Sequence, residues 1–323
     1  MSKVIGIDVS KQTYDASFFN KNGKWEHNVY HNNKTGFKKL LKDSGTDSVF
    51  VMEATGPYYL ELATYLYEKG ANVSVVNPLV IKRYSQMKMI RAKTDKKDAQ
   101  TIANYGMEQP LKDWSPTDDV IYKMQQIDTL IASYQKQLTM LNNQLEAFTS
   151  SGKTEASAKR SINKMIKNLK AEIEKLQKKN KELAEKEYAE TMELLKSIPG
   201  IGDKTAIMLL IITNNFSKFE NYKQLIAYVG FSPRIYQSGT SVNGKGHINK
   251  IGNSKARKVL YMASWSAKRY NKQAIEMYER LKLKGKPERV IKVAIANKLI
   301  KQAFAIVKSG KKYDEDYISK RMN

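Results

Sequence analysis

The chain has 323 residues and a formal net charge of +24, from 56 Lys and Arg against 32 Asp and Glu. Such an excess of cations implies a polyanionic partner, nucleic acid first and a membrane surface second. The absence of cysteine excludes disulfides and thiolate zinc sites, and three scattered histidines make a histidine metal cluster an unexpected arrangement. No apolar run approaches the length of a membrane span and the first residues lack the charged and apolar regions of a signal peptide, so a cytoplasmic protein is expected.

The length suggests roughly two domains, and the first, over residues 3–105, reads as α/β. Val4 to Val9 is an apolar run that breaks on Asp8, the pattern of a buried strand delivering a carboxylate to a sheet edge. Thr13 to Asn20 alternates as a second strand, Asn22-Gly23 is a hairpin signal, and Lys24 to His31 is a third strand. Phe37, Leu40 and Leu41 mark a helix, and Val49 to Glu53 is a strand ending on a second acid, with Gly56 and Pro57 behind it. Tyr58 to Lys69 reads as a helix stopped by Gly70, Asn72 to Val76 as a strand halted by Asn77-Pro78, and Val80 to Met87 as a helix. A last helix bears Asp95 and Asp98, three apart and so on one face. Three antiparallel strands followed by alternating helices and strands is the order of a ribonuclease H-like fold.

Four carboxylates that meet would repel one another, and a cation is the simplest reason to gather them. They are hard oxygen ligands, suited to magnesium. The plainer reading is that strand-end acids cap the helices after them and that Asp95 is an ordinary N-cap.

Two heptad runs come next. Val120, Met124, Ile127, Ile131, Tyr134, Leu138, Leu141, Leu145 and Phe148 alternate spacings of four and three, and Ile162, Ile166, Leu169, Ile173, Leu176, Asn180 and Leu183 repeat the pattern. With the polar turn 149–154 between them, they predict a coiled-coil hairpin, packed on itself or paired with another subunit's. Asn180 sits on the seam, where a polar residue can fix register.

From about residue 194 the chain reads as mostly helical. Ile198-Pro199-Gly200-Ile201-Gly202-Asp203-Lys204 is similar to the turn of a helix-hairpin-helix element, in which Gly200 and Gly202 let a phosphate approach the amides opening the next helix and Lys204 adds charge. The plainer reading is a glycine-rich turn between packed helices. Leu225 to Gly230 is a short helix. Phe231 to Gly252 reads as a long polar loop whose basic, hydroxyl and aromatic residues suit phosphate and base contacts. Lys255 to Arg269 and Arg289 to Val307 are helices, the second stopped by Gly310, and the tail after Lys311 is expected to fray.

Together these stretches resemble a known family. Gly6-Ile7-Asp8-Val9-Ser10-Lys11, Glu53-Ala54-Thr55-Gly56 and Thr94-Asp95-Lys96-Lys97-Asp98-Ala99 look like the N-terminal signature of the IS-one-ten transposases and the related Piv-type DNA invertases. Ile198 to Gly202, Gly230-Phe231-Ser232-Pro233-Arg234, Ser238-Gly239 and Lys250-Ile251-Gly252-Asn253 look like its C-terminal transposase domain, with Phe231 where the family more often has Leu. The resemblance implies three parts: a RuvC-like Asp-Glu-Asp-Asp domain over 1–112, a coiled-coil hairpin over 113–193, and a transposase domain over 194–323. It matches Asp8, Glu53, Asp95 and Asp98 to a magnesium-holding tetrad and Ser238 to a nucleophile, with Ser241 and Ser232 as rivals. It implies donor and target DNA, an element-encoded structured guide RNA, and a homo-oligomer, dimer to tetramer, working at the nucleoid. Lys11, Gly200, Gly202, Lys204, Arg234, Gly239, Lys245, Lys250, Arg257 and Lys258 are the expected nucleic-acid contacts.

A phosphoserine link would conserve the energy of the broken phosphodiester, so strands could be exchanged without a nucleotide cofactor. The competing readings are a two-metal nuclease, in which water attacks and Ser238 only binds phosphate, and a non-catalytic nucleic-acid scaffold.

Overall fold

The computed structural model describes residues 3–20, 22–234, 236–239, 242–244 and 247–317, and the chain divides into two units, Met1–Pro116 and Thr117–Asn323. The first is built on β1 (Val4–Val9), β2 (Thr13–Phe19) and β3 (Trp25–His31), then α1 (Lys34–Ser44), β4 (Val49–Glu53), α2 (Leu60–Glu68), β5 (Asn72–Val76), α3 (Pro78–Met87) and α4 (Asp95–Glu108). The five strands form one sheet in the order β3-β2-β1-β4-β5. β1, β2 and β3 pair antiparallel, and β4 and β5 run parallel to β1, so the mixed α/β reading holds.

Alternation along the strands sorts the two faces. Ile5, Ile7 and Val9 of β1 point to one side, with Tyr14, Phe50 and Met52, and bury against Phe37 and Leu40 of α1 and Leu62 and Leu66 of α2. Gly6 and Asp8 therefore point to the other side, where α4 lies. Gly6 is what lets α4 come down onto β1: a Cβ there would stand 2.2 Å from both the Ala103 nitrogen and the Ala99 oxygen. Gly106, one turn from the end of α4, meets Val4 and Val51 in the same way, each 2.8 Å from where its Cβ would be. Thr94 caps α4 by accepting from the Lys97 amide, which fixes where the helix begins.

The second unit opens with α5 (Asp119–Ser150) and α6 (Ala156–Glu187), two helices of 32 residues packed on each other. Each is about 48 Å long at 1.5 Å per residue. Along the seam Met124, Ile131, Ile166, Leu169, Ile173 and Asn180 are buried, and the remaining heptad positions are half-buried. Asn180 Nδ2 donates to the Met124 carbonyl at 3.3 Å, pinning one helix against the other. The foot of the hairpin merges with the rest of the unit: Ile121, Met124 and Ala184 belong to the same apolar cluster as the C-terminal helices.

Those helices are α7 (Ala189–Lys196), α8 (Asp203–Thr213), α9 (Tyr222–Val229), then, after four two-residue strands, α10 (Ser254–Tyr270), α11 (Lys272–Leu283) and α12 (Glu288–Ser309). Helix α12 is the spine, burying Ile291, Ile295, Leu299, Ile300, Ala303 and Phe304 against α7, α9, α10 and α11. Three features differ from the expectations drawn from sequence. The stretch 231–252 is an arm rather than a loop: β6 (Pro233–Arg234) pairs with β9 (His247–Ile248), and beyond them β7 (Gln237–Ser238) pairs with β8 (Val242–Asn243). Helix α11 is one that sequence reasoning missed, although Ala274, Met277, Tyr278 and Leu281 stand at i, i+3, i+4 and i+7 and pack on the core; only Ala274 is fully buried. The tail is held through 317: the Tyr313 amide donates to Ser197 Oγ at 2.9 Å, its hydroxyl to Asn271 Oδ1 at 3.2 Å, and Lys312 pairs with Glu193.

Gly6→Ala should therefore be strongly destabilising, by about 2–3 kcal/mol or more, because its Cβ meets main-chain atoms that cannot swing aside. Gly202→Ala, with nothing near its Cβ, should stay within about 0.5 kcal/mol of the parent. Urea denaturation measures both; a Gly6→Ala protein as stable as the parent would mean that α4 does not press on β1.

Candidate active site

The carboxylates singled out from the sequence come from three elements of the first unit. Asp8 is the fifth residue of β1. Glu53 ends β4, which runs parallel beside it with Ile7 opposite Met52. Asp95 and Asp98 occupy the first turn of α4, the helix that Gly6 seats over β1. The Glu53 carboxylate is steadied by Thr55, whose Oγ1 donates to Oε1 at 2.8 Å.

Electrostatics shows that the four feel one another. Burial, followed by the charges of Asp98, Asp95, Glu53 and Asp15, pushes the Asp8 carboxyl up to about 6. Asp98 is also raised, chiefly by burial, with Asp95 and Glu53 adding to the effect and Lys93 opposing it. Lys93 thus compensates Asp98 in part, while burial and the neighbouring acids act together to raise Asp8. Among the described residues, no three Asp, Glu or His side chains stand close enough to hold one ion as they are. The donor chemistry nevertheless fits a hard divalent cation: all oxygen, with Asp8, Glu53 and Asp98 half-buried and Asp95 exposed.

Asp15 is a fifth acid that sequence reasoning missed. It sits opposite Asp8 in the β1–β2 register, and His27 Nε2 lies 2.6 Å from its Oδ1. The signal was available. The Ser10 amide bonds to the Thr13 carbonyl at 2.9 Å, and a hairpin closed by that turn pairs residue 8 with residue 15.

In the second unit, Ser238 is the last residue of β7, with Val242 opposite, and Gly239 comes next at the tip with φ +54°. Ser241 and Lys245 lie outside the described residues. At the foot of the arm two motif glycines cross: a Cβ on Gly252 would stand 2.3 Å from the Tyr228 carbonyl oxygen, and one on Gly230 2.6 Å from that of Ile251. Ser232 lies near this foot, half-buried.

The remaining expected nucleic-acid contacts fall into two groups. Lys11, Gly202, Lys204, Arg234, Gly239, Lys250 and Lys258 are exposed. Two others are engaged in the fold. Arg257 Nη1 donates to the Val229 carbonyl at 2.8 Å, and Gly200, at φ +105°, packs on α10 with its absent Cβ 2.7 Å from that of Ala267. Gly202 leaves the start of α8 open, but Asp203 in that first turn already binds Lys181 at 2.7 Å and Lys196 at 2.9 Å.

Carboxylates beside parallel strand ends, in a chain this basic, suit an enzyme that works on nucleic acid. Comparison with known proteins agrees. Residues 5–151 match a DEDD-type profile described as "Transposase", and residues 192–279 match "Transposase IS116/IS110/IS902 family". The pilin gene-inverting proteins of Moraxella lacunata and Moraxella bovis are each 32% identical over 324 residues, which is 98% of this chain and 99% of theirs. The 43.6 kDa protein of insertion element IS110 from Streptomyces coelicolor is 26% identical over 38% of this chain and 30% of its own length. The chain belongs to the IS110 family of transposases, and it is a DNA transposase or recombinase. Among solved structures, T. thermophilus RuvC in complex with a Holliday junction substrate aligns over 35% of this chain and all of its own, with 12% identity and a TM-score of 0.27, a likeness too slight to lean on. Among the described residues, no helix is long and apolar enough to cross a membrane.

The raised Asp8 carboxyl gives a stability test with a definite sign. The folded state holds this proton up to about pH 6, whereas the unfolded chain releases it near 3.8. Stability therefore falls as pH rises through that interval and stays low above it. Discounted for screening at a half-buried group, the effect is on the order of 1–2 kcal/mol. Without divalent ions, Asp8→Asn should melt higher than the parent at pH 7.5, and the gain should vanish near pH 4. Equal melting temperatures at both pH values would show that the four acids do not load Asp8.

Proposed function

We propose that this chain is a magnesium-dependent, RNA-guided transposase that breaks and rejoins DNA through a serine nucleophile. The observation that carries the reading is the Asp8 carboxyl, raised by burial and then by the charges of Asp98, Asp95 and Glu53, since a buried acid set among other acids is a feature that bound cations explain. Asp8, Glu53, Asp95 and Asp98 would hold the ion. When bound, magnesium activates a hydroxyl and stabilises charge on the scissile phosphate.

The remaining steps belong to the chain's own residues. Ser238 Oγ attacks phosphorus, the Oγ–P bond forms, and the bond to one sugar oxygen breaks. That oxygen takes up the proton which the serine gives up. The phosphoserine link stores the bond energy for rejoining. Gly239 permits the turn that presents Ser238 at the end of the arm, and Arg234, exposed on β6, would hold phosphate. Residues 113–193 are the proposed assembly element, joining two to four chains so that two cleavage sites can be served. Residues 1–112 supply the acids and residues 194–323 the serine. A guide RNA is consistent with the charge of +24 and with the family.

A nicked suicide substrate tests the chemistry. Ser238→Ala should abolish both recombination and the covalent protein–DNA band, while Ser241→Ala retains them. Asp8→Asn should lower turnover by at least about a hundredfold, the scale of removing a charge-stabilising group. A covalent band surviving in Ser238→Ala would end the serine assignment. Cleavage without any such band in the parent would favour hydrolysis by water.

The same reading predicts that the purified protein carries RNA transcribed from beside its own gene. Affinity for DNA should fall steeply with salt, since each neutralised phosphate releases counterions. Nucleic-acid-free purification combined with salt-insensitive DNA binding would count against it.

A further inference from the structure

Helix α10 carries five cations and no carboxylate over its 17 residues. The fold uses three of the five. Lys255 pairs with Asp128, Arg257 bonds to the Val229 carbonyl, and Lys268 pairs with Glu288. Among the described residues, Lys258 and Arg269 form no ion pair and both are exposed. Between them on the same face, at steps of four, three and four, stand Met262 and Trp265, which are 60% and 45% exposed. Tyr270, 69% exposed, lies at the end of the helix. Large apolar side chains interleaved with unpaired cations on a free helix face are unusual for a surface that meets only water.

Trp265 is moreover held in place. Lys292, whose side chain is 5% exposed, puts its Nζ 3.1 Å from the centre of the Trp265 ring, and Glu288 Oε1 holds that ammonium at 3.2 Å. One part of the indole is therefore fixed from within the protein while nearly half of its surface stays in solvent. A ring fixed in this way loses little freedom when something stacks on it.

We infer that the Lys258–Met262–Trp265–Arg269 face of α10 is a stacking platform for an unpaired nucleic-acid strand, its bases lying on Trp265 and Met262 and its phosphates on Lys258 and Arg269. Charge complementarity selects this occupant, since every free charge on the face is positive. The aromatic and thioether surface selects unpaired bases over a closed duplex, which presents only phosphates and groove edges. From Lys258 to Arg269 the face runs about 16 Å at 1.5 Å per residue, enough for a few stacked nucleotides. The inference rests on the chain being a nucleic-acid enzyme, but it requires neither the serine chemistry nor a bound metal.

The test uses the full chain, without divalent ions, titrated with an oligothymidylate and with a duplex of equal length. Trp265 is one of three tryptophans, so its stacking reads directly as fluorescence quenching. The single strand should quench the parent, and Trp265→Leu should lose that component and bind it about tenfold more weakly. Trp265→Phe should restore most of the affinity, and duplex affinity should change little in either variant because all five cations remain. Met262→Glu, at a position too exposed to disturb the fold, should weaken single-strand binding on its own. Equal losses for strand and duplex, or no loss in either variant, would overturn the platform. So would a change in sedimentation of Trp265→Leu with strand binding intact, because the face would then be an interface with a second copy. None of these outcomes depends on the covalent band, so the two readings fail separately.

Discussion

The contact on which the first unit depends is between Gly6 and the middle of α4. With its absent Cβ 2.2 Å from main-chain atoms of Ala99 and Ala103, Gly6 sets the helix directly on β1, and Gly106 does the same one turn from the end of the helix. The depth and angle of α4 are then fixed, and its first turn, with Asp95 and Asp98, comes over the ends of β1 and β4. Hydrophobic packing alone would tolerate a helix lying higher, on a Val or Ile. What the glycine adds is proximity between charges that would otherwise separate. The raised Asp8 carboxyl reflects first the burial that α4 imposes on it and then that proximity. A fold optimised for stability alone would not bury Asp8 and Asp98 beside further acids that raise them, and sites arranged for chemistry are where such conflicts are retained.

Much of this is legible in the chain, because the strongest signals are local. Asp8 and Glu53 each close an apolar run, Asp95 and Asp98 stand three apart, and the alternation of β2 and β3 around Asn22-Gly23 gives the first hairpin; the cap of α4 is Thr94, not the Asp95 of the plainer reading. The heptads of α5 and α6 announce their seam from Val120 to Phe148 and from Ile162 to Leu183, and every heptad position is buried or half-buried. The parts that stay hidden are those where the cause lies far along the sequence. Gly6 looks like any strand glycine until Ala103 is placed against it, and Gly200 looks like a phosphate-loop glycine until Ala267 occupies the space beside it. The arm reads as a loop because its strands are two residues long, too short for a period of two to show. Helix α11 does carry a stripe, Ala274, Met277, Tyr278 and Leu281, and is legible though unread, whereas the tail is held by single polar contacts to Ser197 and Asn271, which leave no pattern in composition.

The hairpin is another case in which a boundary drawn from pattern differs from a boundary drawn from packing. Periodicity changes near residue 113 and again near 193, whereas the apolar cluster of the second unit runs through Ile121, Met124 and Ala184 into α7, α8 and α12. The first turns of α5 and the last of α6 are thus part of the C-terminal core, and only the outer length is free of it. Asp118 reinforces the root by capping α5 and accepting the hydroxyl proton of Tyr188 from the end of α6.

The net charge of +24 points to nucleic acid but cannot say where it binds, because a total counts all cations alike. The fold separates them. Lys181 and Lys196 are tied to Asp203, Lys268 and Lys292 to Glu288, and Lys255 to Asp128. These ammonium groups organise helix ends and elbows, and a phosphate would have to displace a carboxylate to reach them. The turn before α8 illustrates the difference. Its sequence suggests an anion site, yet Asp203 already supplies the anion, held by two lysines, in the turn where a phosphate would sit. Lys11, Lys204, Arg234, Lys250, Lys258 and Arg269, exposed and with no acid paired to them among the described residues, are among the charges left for a partner. The counterions released on binding should reflect this smaller set rather than the whole excess. The aromatic and apolar side chains left in solvent among them then mark where a strand's bases, rather than its phosphates, have something to meet.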